Sequence, residues 1–119
     1  MKIKSGAIDQ FEQYSQFESV EEFQKYVNKI LVDYKMELTN GDRVALQMLV
    51  RCSSEIPGVS NPAIDYVLEL IESQSELKPI SRATFKRMVR KAIALGILTV
   101  YQTEKENGYQ LSNLYIFNK

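Results

Sequence analysis

Histidine is absent from the 119 residues of this chain, and cysteine occurs once, as Cys52. The first absence removes the commonest general base and the commonest metal ligand. The second rules out an intramolecular disulfide and a thiolate metal site, and it suits a reducing compartment. No glycine-rich phosphate loop occurs. No run approaches the ~20 apolar residues that span a bilayer, and the start, MKIKSGAIDQ, lacks the apolar stretch of a secretory leader. Neither sign of charge is in excess. Fifteen Lys and Arg meet fifteen Asp and Glu, so any attraction to nucleic acid must come from their distribution. The expectation is a cytoplasmic, non-enzymatic protein with no cofactor, no metal and no membrane segment.

What is present is ordinary globular composition, with 45% apolar and 25% charged residues, and enough length for one core. Phe11, Tyr14 and Phe17 recur at a spacing of three in a polar stretch. Ser19 to Glu22 has the form of a capping box, in which serine and glutamate satisfy opening N–H groups reciprocally. Phe23, Tyr26, Val27, Ile30, Leu31 and Tyr34 then recur at helical spacing to about Lys35. A second helix is predicted over 42–53, burying Ala45, Met48, Leu49 and Cys52, the last as a small packed residue rather than a reactive thiol. After a loop at 54–58, Asn61 is suited to cap and Pro62 to open a third helix carrying Ile64, Val67, Leu68 and Ile71. A polar linker over 72–79 ends in proline. Ser81 caps a fourth helix that runs to Leu95 and stops at Gly96. Extended runs over 98–102 and 109–117 flank Asn107-Gly108, a hairpin signal. The pattern predicts a mainly α fold with a small β-hairpin.

The fourth helix carries the functional signal. It holds Arg82, Lys86, Arg87, Arg90 and Lys91 with no acidic residue, whereas a solvated helix usually mixes both signs. At 100° per residue, Phe85, Met88, Val89, Ala92 and Leu95 fall on one arc and the basic residues on the other, with Ala83 and Ala94 among them. Long basic chains around small residues suit a helix that approaches DNA closely. Its N-terminal residues Arg82, Ala83, Thr84 and Lys86 are candidates for base reading, and the capping Ser81 is a further candidate DNA contact. Arg87, Arg90 and Lys91 are candidates for phosphate contact, as is Lys105 in the hairpin tip. Gln110, Ser112 and Asn113 are candidate neutral donors to phosphate oxygens. The alternative is a basic face that touches only water.

This order of elements resembles the winged helix-turn-helix. It is more closely similar to the domains of plasmid and phage replication-initiator-like proteins and small regulators of Gram-positive bacteria. The resemblance rests on Leu38 to Arg43, Pro57 to Pro62, Ser81 to Arg87, Leu95 to Leu98 and Gln110 to Phe117, and it covers residues 38–118. It implies a winged helix-turn-helix domain over 38–119, with an extra N-terminal segment and helix over 1–37. It further implies sequence-selective binding of double-stranded DNA with helix 81–95 in the major groove. The roles it implies are transcriptional regulation or plasmid and phage DNA maintenance, by replication, partition or transfer. The N-terminal helix either packs on its own core or pairs with a second copy. The homodimer is the expectation, with Phe23, Tyr26, Val27, Ile30, Leu31 and Tyr34 at the interface. The zero net charge, and Glu104 and Glu106 in the hairpin tip, motivate the competing expectation of a protein-interaction module without DNA binding.

Overall fold

Serine and threonine caps decide where most of the helices begin. The computed structural model describes residues 2–4, 8–104 and 110–119, with side chains over 11–102 and 113–119. A short strand β1 (Lys2–Lys4) and a 3-10 helix (Ile8–Tyr14) precede α1 (Val20–Asp33) and α2 (Asn40–Cys52). Then follow β2 (Val59–Ser60), α3 (Ile64–Glu72), α4 (Arg82–Ala94), β3 (Leu98–Glu104) and β4 (Gln110–Phe117). The Ser19, Thr39 and Ser81 hydroxyls accept the amides of Glu22, Asp42 and Thr84, each within 3.1 Å. At Thr39 the bond is reciprocated, because the Asp42 carboxylate accepts the Thr39 amide at 3.0 Å. At the far end of α4, Gly96 takes φ +79. Its amide donates to Ile93 and that of Ile97 donates to Ala92, closing the helix in a Schellman motif.

α3 starts later than its Asn61-Pro62 signal suggests. Its cap is Ala63, without a side-chain hydrogen bond. The preceding residues are engaged elsewhere: Val59 pairs with Ile116 and Ser60 with Tyr115, which commits the chain to the sheet immediately before Asn61. Gly58 turns the chain into β2 at φ +80, where a Cβ would lie 2.7 Å from the Phe17 ring. Glycine is required there by backbone and by space alike.

The sheet order is β1-β3-β4-β2, antiparallel except for β1, which lies parallel to β3 at one edge. In β4, Tyr115 and Phe117 face the helices, while Leu114 and Ile116 face the other way. All four are buried. The outer face is covered by the 3-10 helix, whose Phe11 packs with Ile56, Val59, Leu114 and Ile116. The spacing of three at Phe11 and Tyr14 thus belongs to a 3-10 repeat, which stacks positions i and i+3. Phe17 follows outside that helix and is buried in the main core.

The main core joins all four helices and extends from Phe17 to Phe117, across the boundary expected at residue 38. Phe23 lies edge-on to Phe117 with ring centroids 5.1 Å apart. Phe17 is equally close to Phe23 and Tyr26. The six residues expected at a dimer interface all touch this core. Phe23, Val27 and Ile30 are buried in this chain's own core, and Tyr26, Leu31 and Tyr34 pack against its edge.

Phe11→Ala removes a ring that is 1% exposed. It is expected to lower the unfolding free energy by about 3–5 kcal/mol in urea denaturation. A loss below about 1 kcal/mol would mean that the N-terminal segment is not part of the core.

Candidate nucleic-acid interface

α4 presents a basic surface because its apolar arc is used by the core. Phe85, Met88 and Ala92 are buried, and Val89 and Leu95 are partly so. Ser81, Arg82, Ala83, Lys86, Arg87 and Arg90 are exposed on the opposite side, and Thr84 is half-buried. The Ser81 and Thr84 hydroxyls also hydrogen-bond to each other at 3.1 Å, so both are occupied in the cap.

The five cations are not equivalent. Arg82 pairs with Asp65 in the first turn of α3, where both side chains are well exposed. Such a pair is worth little in water and releases its arginine readily. Lys91 is largely covered, lies 2.5 Å from the buried carboxylate of Asp42, and donates to the Glu37 carbonyl at 2.9 Å. Arg87 Nε stands 3.6 Å from the other oxygen of Asp42. Lys91, expected at phosphate, thus has its ammonium engaged between α2 and α4. Lys86 and Arg90 take part in no ion pair or hydrogen bond among the described residues.

Lys86 and Arg90 sit one helical turn apart on the rim of a cleft of about 220 Å³ between α4 and β4. Ile64, Phe85, Val89 and Tyr115 give it an apolar lining, and Asn113 lines it from the strand. Asn113 hydrogen-bonds the Tyr115 hydroxyl, whose pKa burial raises and this bond lowers in part. Lys105 and the Asn107-Gly108 tip lie outside the described residues, as do the side chains of Gln110 and Ser112. The structure thus brings Lys86, Arg90 and Asn113 together at one edge of α4. Arg87 and Lys91 lie at the other edge, toward α2.

Sequence reasoning missed Asp42 and Asp65. Asp42 had a legible signal in the Thr39-x-x-Asp42 spacing of a capping box, but its contact with α4 spans 49 positions in the chain. Burial pushes the Asp42 carboxyl toward neutrality, but hydrogen bonds from Lys91 and Thr39 outweigh it. Its pKa falls below the ordinary 3.8. Cys52 is half-buried, and its thiol is raised by burial against a smaller opposing effect of Arg51, which keeps it protonated and unreactive. No group of His, Cys, Asp or Glu able to hold a metal occurs among the described residues. No helix among them is long and apolar enough to cross a membrane.

Comparison with protein-family models, curated proteins and solved structures gives no match. The functional reading therefore rests on the geometry of α4 and its surroundings.

Because the folded pKa of Asp42 is lowered, its contribution to stability is complete above the ordinary carboxylate value. It is lost as pH falls through the lower folded value. Asp42→Asn is expected to cost about 2–4 kcal/mol at neutral pH, from the broken ion pair and the weakened cap. It should also flatten the acid limb of stability against pH, measured by urea denaturation between about pH 7 and pH 3. An unchanged acid limb in the variant would place the acid sensitivity in other carboxylates.

Proposed function

We propose that this protein is a sequence-selective, double-stranded DNA-binding protein of winged helix-turn-helix type, with α4 as the helix that enters the major groove. The observation that carries the reading is the exposed pair Lys86 and Arg90, without an ion-pair partner among the described residues, on a helix whose opposite arc is buried. The element order supports it: α2, α3 and α4 are followed by the β3–β4 hairpin, and β2 returns to pair with β4. An α-helix matches the width of the major groove, and Ala83 leaves room for its backbone to approach. In this reading Lys86 and Arg90 hold phosphates beside the hairpin. Arg82, once released by Asp65, and Ala83 reach base edges. The protein would act in the cytoplasm, without catalysis, in transcriptional regulation or in plasmid or phage DNA maintenance.

The competing reading, a module that binds another protein, draws on the pairing of Arg82, Arg87 and Lys91 with Asp65 and Asp42. That pairing lowers the effective charge of the helix.

Lys86→Glu combined with Arg90→Glu is expected to abolish retardation of genomic DNA fragments in low-salt gel shifts. Because both side chains are solvated, stability should stay within about 0.5 kcal/mol per site of the wild type. If the double variant shifts DNA as well as the wild type, α4 is not the contact helix. If the wild type itself gives no shift at micromolar protein, the protein-interaction reading is favoured.

A further inference from the structure

Building on the DNA-binding reading, the geometry points to Asp42 as a positioning residue. It withholds Arg87 from phosphate and leaves Lys86 and Arg90 as the cations that grip the duplex. Asp42 is completely buried, and its two carboxylate oxygens are used differently. Oδ2 accepts the Thr39 amide at 3.0 Å and the Lys91 ammonium at 2.5 Å. Oδ1 is buried without a hydrogen bond and faces Arg87 Nε at 3.6 Å.

A charged oxygen shut away from water is costly to leave alone. Moving Arg87 onto a DNA phosphate strands that oxygen, so any contact it makes carries an offsetting loss. Contacts by Lys86 and Arg90 carry no such loss. Nor can Asp42 follow the departing arginine, because the capping box with Thr39 fixes it in the first turn of α2. Arg87 is half-exposed and looks available from the sequence pattern, yet it is tied to α2 electrostatically. The contact surface is thereby shifted toward the hairpin edge of α4.

The salt dependence of binding tests this, because each phosphate contact contributes about 0.9 to the slope of log affinity against log salt. On a mixed-sequence duplex, Lys86→Gln is expected to lower the slope by about 0.9, and Arg87→Gln to leave it unchanged. Removing Asp42 and Lys91 together, as D42N with K91Q, keeps the net charge and frees Arg87. In that background Arg87→Gln should lower the slope by about 0.9. A purely structural role for Asp42 would alter stability without making the effect of Arg87→Gln depend on background. If Arg87→Gln alone lowers the slope as much as Lys86→Gln does, the inference is overturned, and this comparison does not require the Asp42 variant to fold. A wild type that binds no duplex overturns the DNA-binding reading as well. Binding with equal slope losses at positions 86 and 87 overturns only the role of Asp42.

Discussion

Four successive buried apolar residues, Leu114 to Phe117, set the requirement that the rest of this structure answers. Side chains alternate across a strand, so a run apolar at every position has two faces to hide. The helices cover one face, through Phe23, Phe85 and the other residues of the main core. The N-terminal segment covers the other, through Phe11 and Tyr14. A bare helix-and-hairpin unit would leave Leu114 and Ile116 in water. This accounts physically for the N-terminal residues without invoking a second copy, and it places α1 where Phe23 meets Phe117.

A second constraint acts through charge. Asp42 belongs to the cap of α2 and simultaneously faces Lys91 and Arg87 of α4. One buried carboxylate thus closes a helix terminus and clamps two helices at a defined offset. Breaking such a contact leaves a charge without water or partner, which is why it constrains geometry more firmly than an exposed pair like Arg82 and Asp65. The zero net charge of the chain conceals an uneven surface. On α4 the paired cations lie toward α2 and α3, and Lys86 and Arg90, unpaired among the described residues, lie beside β4.

Most local elements were legible. The stripe from Phe23 to Tyr34, the capped start of α4, its glycine stop and the two extended runs follow from residue spacing and backbone preference, which act over a few positions. The misread places are those where a distant partner decides. Asn61-Pro62 is a good helix opening by local preference, but pairing of Val59 and Ser60 with β4 keeps that stretch extended. The spacing of Phe11, Tyr14 and Phe17 suited a helical side, but it does not say which surface needs covering. The stripe on α1 was legible as apolar, although not as internally buried, because periodicity reports a face and not its occupant.

By itself the sequence determined the four main helices and the two long strands, which helix carries five cations, and that no histidine or cysteine cluster is available for chemistry. Those properties depend on residue type and near neighbours. Only the tertiary structure decided which of the five cations are paired among the described residues, because Asp42 and Asp65 reach them from other elements across 17 to 49 positions. It alone decided, too, that Phe11 and Tyr14 cover the far face of β4 while Phe17 joins the main core. Both outcomes depend on contacts between elements distant in the chain, a property of the assembled molecule that no local spacing encodes.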